Sequence, residues 1–451
     1  MSDKSKKERA ADIVVIGAGA AGLMAACAAA DTGAAVTVLE KTEKAGKKIY
    51  ITGKGRCNLT NACDMQEFWG HVVTNPKFLY SAVYGFDSQQ TMRFMEENGC
   101  RVKTERGERV FPVSDHASDV TRALLDHLMR KDVRIRYHCP VSHIMTEGGE
   151  DRKRVTGVRL RSGETVPAKA VILATGGRSY PSTGSEGDGY KMASELGISV
   201  VKPAPSLVPV RTREEWCRQL QGLSLKNVEL TVERPSEDGG IQEETGGPSG
   251  KKSAKRTGKK KKPLYKGFGE MLFTHFGVSG PLVLTASCYM DFDKAPEGYR
   301  MILNLKPALT QEQLVNRLKR EIAAAPRKKT AGLIRPLFPS RLADVIAQIS
   351  GLSERTAASF NDKEIEELAF LIQNVPINAC GTGGFNEAIV TRGGLNVKEF
   401  DPSTMRCRSI DGLYAAGEVL DVDAHTGGFN LQIAWSTGRL AGECAAMNLE
   451  S

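Results

Sequence analysis

The stretch "ADIVVIGAGAAGLMAACAAADTGAAVTVLEK", Ala11 to Lys41, constrains this chain more than any other. "DIVVIG" has the β-branched density of a strand buried on both faces. It runs into Gly17, Gly19 and Gly22 in G-x-G-x-x-G spacing, then an Ala-rich helix closed by Gly33, then a second strand ending at Glu40. The spacing predicts a complete β-α-β unit with an acid at the end of its second strand, the pattern that binds a dinucleotide. Gly17 allows the tight turn, Gly19 lets backbone approach a pyrophosphate, and Gly22 packs the helix on the sheet. The helix N-terminus faces the phosphates, and Glu40 accepts hydrogen bonds from the adenosine ribose.

A competing reading exists, because "MSDKSKKERA" followed by an uncharged run, Ile13 to Ala30, outlines a secretory leader. The small residues of that run, and Asp12 just before it, argue against a leader. Beyond it, no segment is long and apolar enough to span a bilayer.

With 451 residues the chain can form two or three domains around a large core. Its ten cysteines include no C-x-x-C, which argues against structural zinc, and the seven histidines form no metal signature. Scattered thiols in a chain this long are expected to be reduced, placing the protein in the cytoplasm. The net charge is +9, unevenly placed: Gly250 to Lys262 holds seven Lys and one Arg after an acidic, Gly-rich stretch. About 234–262 is expected to be a solvated, poorly ordered insertion. Nucleic acid is not expected as a partner, although such a run could attract it.

Two further strands share the chemistry of the first. Ala170 to Ala174 runs into Thr175-Gly176-Gly177, and "GLYAAGEVLDVDAHTGGFNLQIAWSTGRLAG" holds a strand ending at Ala416-Gly417-Glu418 before a small-residue helix. A C-terminal strand and helix returning to the first sheet is the arrangement of large FAD-dependent oxidoreductases. Asp421 can lie near the phosphates or ribityl chain. The backbone N–H groups around Gly428 to Gln432, at a helix start, can face the flavin N1/C2=O edge. An ordinary βα unit would not account for Glu418, Asp421 and Asn430 gathering around these turns.

Four motifs in order, "KKIYITGKGRCNLTN" (Lys47–Asn61), "VFPVSDHASDV" (Val110–Val120), "GEMLFTHFGVSGP" (Gly269–Pro281) and the C-terminal "AAGEVLDVDAHTGGFNLQIAWSTGRLAG", carry a closer likeness. The chain resembles the bacterial aminoacetone-oxidase-family, or bile-acid-dehydro-reductase-like, FAD-binding flavoproteins, from Ala11 to about Leu440. The Lys-rich run is its clearest departure. The resemblance implies an α/β fold: a Rossmann-type FAD domain in two segments, 11–202 and 393–451, with a β-rich substrate domain at 203–307, a helical subdomain at 308–374 and a return strand at 375–392. It also implies FAD contacts at Gly17, Gly19, Ala20, Ala21, Gly22, Glu40, Lys41, Arg56, Val141, Ala174, Thr175 and Gly176. The C-terminal contacts fall on Gly417, Glu418, Asp421, Gly428, Asn430, Leu431 and Gln432.

The chemistry follows from the flavin, which performs hydride transfer while the protein orients the reactant. A polar group must polarise a carbonyl or move a proton. The candidates are His275, between a strand and a Gly-rich turn, and Arg56, which the resemblance places beside the flavin. Ser279 and Arg392 have ordinary structural readings. Cys57 and Cys63 enclose five residues rather than the four of flavin disulfide reductases, so dithiol chemistry is a minor alternative. No second nucleotide fingerprint is present, so NAD(P)H is expected as a transient donor. The preferred reading is a reductase of a C=C bond conjugated to a ketone, with a hydrophobic 3-oxo-4-ene steroid or bile-acid intermediate as substrate. An amine oxidase, an RNA-associated flavoprotein using the Lys-rich run, and a flavin-binding regulator without turnover stand as alternatives.

Overall fold

The computed structural model describes residues 11–149, 153–234 and 262–449, so the Lys-rich run falls almost wholly outside the described residues. The chain forms two compact units. One holds the residues up to Ser206 together with those from Gly384 onward; the other is Leu207–Gly383.

The first unit is built on a parallel sheet in the order Leu413–Ala415, Ala170–Leu173, Ile13–Ile16, Val36–Leu39, Arg134–Arg136. The three strands at one side are buried at every residue, as expected where helices cover both faces. The first helix, Ala20–Asp31, is buried along nearly its whole length because its neighbour is also made of small residues. A Cβ at Gly438 would lie 2.3 Å from Ala21 O, and one at Gly442 2.2 Å from Ala25 O, so the C-terminal helix Phe429–Met447 touches the first helix through backbone.

The second unit contains, among the described residues, a closed antiparallel barrel. Val210–Thr212 is followed around it by Gly277–Ser279, Tyr265–Thr274, Ser224–Val232, Tyr299–Asn304 and Val375–Thr382, which pairs back to the first. Alternating burial along Tyr299–Asn304 is the signature of a strand with one face on a core. Helices Gln311–Ala324, Ser340–Ile349 and Asp362–Gln373 add Leu314, Leu318, Ile346 and Leu368 to the same apolar cluster. The 308–374 stretch therefore shares a core with the barrel instead of forming its own.

The expected return strand 375–392 divides. Val375–Thr382 closes the barrel, whereas Val390–Leu395 pairs antiparallel with Val200–Ser206 in the first unit. That pairing holds both crossing segments on the Rossmann side, which moves the boundaries from 202/203 and 392/393 to 206/207 and 383/384.

Gly442→Ala inserts a methyl where a carbonyl already sits and is expected to cost about 1–3 kcal/mol. Gly70, exposed in the helix Met65–His71 with nothing within 4 Å of an added Cβ, is the contrast. Gly70→Ala should stabilise by about 0.4–1 kcal/mol. Opposite shifts in Tm on thermal denaturation check this pair.

Candidate cofactor-binding and active site

The registers bring the expected cofactor residues to one edge. Ile16 lies opposite Leu173 and Leu39, and Leu173 opposite Ala415, so Gly17, Glu40, Ala174 and Ala416 leave the sheet at its carboxyl end together. This is where open α/β sheets bind ligands. Gly17 has φ 103°, and a Cβ there would lie 2.6 Å from Ala174 O. A Cβ at Gly22 would lie 1.9 Å from Gly17 O. At Gly19 nothing lies within 4 Å: that backbone borders open space.

Gly19 is the N-cap of the first helix, which has no side-chain cap and no acid in its first turn. The helical ladder starts with Leu23 N–H on Gly19 O at 2.9 Å. Ala20, Ala21 and Gly22 thus present N–H groups without helical partners, at the positive end of the helix dipole. Together with the gap at Gly19, this fits a pyrophosphate. Glu40 is fixed beside it: Oε2 accepts from Ala18 N at 2.9 Å, and Oε1 from Thr42 N at 2.8 Å and Thr42 Oγ1 at 2.9 Å. Since a carboxylate has about four acceptor sites, one is left for a ribose hydroxyl. Cys139 N–H bonds Glu40 O at 2.9 Å, two residues before Val141, which is buried at the start of its strand. The Lys41 ammonium is engaged elsewhere, with Glu186 at 2.7 Å and Asp188 at 2.6 Å.

At the other end of the chain, Gly417 (φ 76°) donates to Thr437 Oγ1 at 2.9 Å, and a Cβ there would meet the Ala21 methyl at 2.6 Å. Glu418 is the hub of a network that sequence reading missed. Its Oε2 pairs with Lys48 Nζ at 2.6 Å, and its Oε1 accepts from Ser179 Oγ and Thr391 N, each at 2.8 Å. Lys48 lies in a motif already singled out, but its partner stands 370 positions away. Beside Glu418, Gly177 has no room for a Cβ, which would meet Thr391 Oγ1 at 2.4 Å. Thr175 and Gly176, between Ala174 and that turn, complete the same crest; Gly176 has φ 72°.

The loop from Asp421 to Gly428 is held by the segment His71–Asn75. Asn75 Nδ2 donates to Asp421 O at 2.7 Å and to its carboxylate at 3.2 Å. Asp423, fully buried, accepts from Thr74 Oγ1 and, at 2.7 Å, from Ser206 Oγ. Burial pushes both carboxyls above the usual carboxylate range, a rise offset in part by the Asn75 bond to Asp421, by the Thr74 and Ser206 bonds to Asp423 and, after these, by the Arg392 charge. Asn430 clasps the loop, accepting from Ala424 N and donating to Ala424 O and His425 O. Gly428 (φ 101°) sits against Thr60, whose carbonyl a Cβ would approach to 2.4 Å.

Gln432 departs from its expected part. Its N–H is spent on Gly428 O at 3.0 Å, and its side chain, fully buried, accepts from Thr60 Oγ1 and donates to Phe86 O and Ser436 Oγ. The exposed first-turn N–H groups are those of the three residues before it, including Asn430 and Leu431.

Arg56 also departs from the expected anion-holding role. Its guanidinium donates to Glu105 and, at 2.9 and 2.7 Å, to Asp115, and lies 4.1 Å over the Phe111 ring. Lys103 joins the same two acids, so the cluster is neutral overall. The Cys57 thiol is pushed up to about 12 by burial, and that of Cys63 to about 11 by burial and nearby acids. Raised thiols of this kind are poor nucleophiles near neutrality, which speaks against dithiol chemistry. In the barrel unit His275 is exposed at the turn after Tyr265–Thr274, its ring edge-on to Phe276 at 4.8 Å. Ser279 pairs with Leu272 in the barrel.

The family model described as HI0933-like protein Rossmann domain matches residues 11–444. The chain belongs to this HI0933-like family. As a member it is an FAD-dependent oxidoreductase with a Rossmann-type FAD domain, and the resemblance carried by the four motifs is borne out. Among similar proteins, the 3-dehydro-bile acid delta(4,6)-reductase of Clostridium scindens is 31% identical over 441 residues, 96% of this chain and 98% of that protein. The ribosomal RNA dihydrouridine synthase of Escherichia coli is 28% identical over 427 residues, 94% of this chain and 96% of that protein. Among solved structures, E. coli quinol fumarate reductase FrdA aligns with a TM-score of 0.50 at 18% identity, over 98% of this chain and 71% of that one, a likeness of fold alone. Among the described residues no helix is long and apolar enough to cross a membrane.

Gly19→Val fills open space at an ordinary φ of −82°, so the apoprotein should keep its Tm while the visible flavin absorbance per protein falls. Gly22→Val should instead lower the Tm outright.

A second prediction concerns His425, whose Nδ1 lies 3.0 Å from His71 Nδ1 while His71 stacks on Phe429 at 4.2 Å. Burial, then the His71 charge, holds His425 down to about 4, against an ordinary value of 6.5. As pH falls through this window the unfolded chain takes up the proton first, so stability drops with falling pH and is restored as pH rises. The raised Asp421 and Asp423 act in the opposite sense. His425→Gln should therefore shrink the fall in Tm between pH 7 and pH 5, a window that covers the upper part of the range that the histidine spans.

Proposed function

We propose that this protein reduces a C=C bond conjugated to a carbonyl, and that the acceptor is a uracil ring in RNA. The observation that carries the bond class is the match of the whole chain, 31% identical over 96% of its length, to a protein named as a bile-acid delta(4,6)-reductase. A second relative matched over 94% of the chain is named for making dihydrouridine. A 3-oxo-4-ene steroid and uracil look unlike, yet both present an alkene conjugated to C=O. One hydride acceptor chemistry serves both. Bound FAD would supply the hydride to the β-carbon.

The chain's residues do the rest. Gly17, Gly19 and the first turn at Ala20–Gly22 hold the pyrophosphate, and Glu40 the ribose. The crest Ala174–Gly176, with Gly417, Asp421 and the helix start at Gly428–Leu431, holds the flavin end. Glu418, locked by Lys48 and Ser179, keeps that crest in place. His275 donates the proton to the α-carbon, and Arg56 steadies the Gly53–Gly55 turn through Glu105 and Asp115. NADH or NADPH serves as the transient donor.

The net charge of +9, with eight positive charges in Gly250–Lys262, suits an acceptor carrying many phosphates better than one carrying the single carboxylate of a bile acid. The steroid remains the second reading, on the strength of the 31% identity.

The test is anaerobic. Holoprotein reduced with NADH or NADPH is mixed with ribosomal RNA, with a 3-oxo-4-ene steroid and, in its oxidised form, with a small amine. Return of the flavin's visible absorbance with RNA, and dihydrouridine in the product, is expected. Return with the steroid alone selects the second reading. Bleaching by the amine and indifference to both alkenes would overturn the reductase. His275→Gln should slow reoxidation by roughly 10²–10⁴-fold while reduction by the donor keeps its rate.

A further inference from the structure

In the barrel unit, helix Gln311–Ala324 turns one face to a hollow of about 380 Å³. Gln313, Asn316, Arg317 and Arg320 follow one another at helical i, i+3, i+4, i+7 spacing, so all four line it from one side. Lys306 enters from the loop after the strand Tyr299–Asn304. Gln373 Nε2 donates to Lys306 O at 3.3 Å and to Leu309 O at 2.7 Å, which fixes that loop. The Lys306 ammonium lies 4.9 Å from the Phe338 ring.

The charges do not balance. Arg317 pairs with Glu321 at 2.6 Å, on its own helix. Among the described residues neither Lys306 nor Arg320 has an ion-pair partner. Partial burial and the Arg317 charge pull the Lys306 ammonium below its ordinary range, the sign of a cation with no anion beside it. The lining thus holds three cations, of which only Arg317 is paired, by Glu321 outside the hollow, together with two side-chain amides able to donate and the apolar Leu309 and Leu337. A planar Arg fork, a point-charge Lys and amide donors are the set that recognises a phosphate group, and the hollow has room for one with its sugar.

We infer that this hollow is a phosphate site that grips the phosphodiester backbone of the RNA substrate. The inference rests on the RNA reading above for the source of the phosphate, but not for the site itself, which would take a free pyrophosphate by the same contacts. The hollow belongs to the barrel unit, and none of its lining residues is among those assigned to the cofactor.

The full-length holoprotein is titrated with labelled single-stranded RNA by fluorescence anisotropy over a range of salt. The Lys306→Gln/Arg320→Gln double variant is compared with Lys294→Gln, which removes an exposed lysine of the same unit. The double variant should bind about tenfold more weakly at ~0.1 M salt and lose about 0.7 from the slope of log K against log salt for each phosphate contact removed. Lys294→Gln should change neither, and flavin absorbance should be the same in all three. Arg320→Glu, a change on the exposed helix surface, repeats the test if the double variant fails to fold. A second arm measures the heat of pyrophosphate binding to wild type and variant.

RNA affinity untouched by both variants would overturn the site, whatever the flavin assay says of the RNA reading. If wild type ignores RNA but binds pyrophosphate, and the variants lose it, the phosphate site stands and the RNA reading falls. Binding of neither ligand by the wild type would overturn the site.

Discussion

The carbonyl oxygens of Ala21 and Ala25 occupy the space that any side chain at positions 438 and 442 would need. Because both positions are glycine, the last helix of the chain lies backbone to backbone on the first. Everything at the site depends on this approach. It sets Gly417 against the Ala21 methyl and brings the C-terminal strand into the same parallel sheet as Ile13–Ile16. Two helix starts, near Gly19 and Gly428, then belong to one unit. A Rossmann sheet whose last helix carried larger residues would hold them further apart.

That packing explains the electrostatics. Both helices begin without a side-chain cap and without an acid in the first turn. Their positive ends are left for a ligand bearing phosphates and, on reduction, a negative ring. The acids nearby are restrained in two ways. Glu40 and Glu418 are held in fixed poses by backbone N–H groups and, for Glu418, by the Lys48 ammonium. Asp421 and Asp423 are buried, which favours their neutral forms. Carboxylates are present but do not cancel the field that an anion would feel. The neutral Arg56–Lys103–Glu105–Asp115 cluster acts mechanically instead, bracing a glycine turn with four acid–base contacts and an aromatic ring.

Much of the cofactor crest was legible because its logic is local. Gly17, Gly19, Gly22 and Glu40 stand within one β-α-β unit, where spacing along the chain translates directly into spacing in the fold. Gln432 shows where that logic ends. Its position near a helix start suggested a free N–H, but the helix begins one turn earlier at Phe429, and Thr60, Phe86 and Ser436 absorb the side chain. Arg56 is the same case: a cation beside a glycine loop reads as an anion holder until its two acids are seen. Lys48 stands in a marked motif, but its role, like those of Ser179 and Thr391, acquires meaning only through Glu418.

By itself the sequence determined the first strands of the parallel sheet, the dinucleotide turn and the family. Those features rest on period, turn chemistry and short-range spacing, which a linear string records. Tertiary structure alone decided which charges meet, which N–H groups stay unspent, that the helices after Pro307 share the barrel's core, and that Val390–Leu395 sides with Val200–Ser206. Each of these depends on contacts between residues far apart in the chain, and partners at such distance leave no mark on the local pattern of either one.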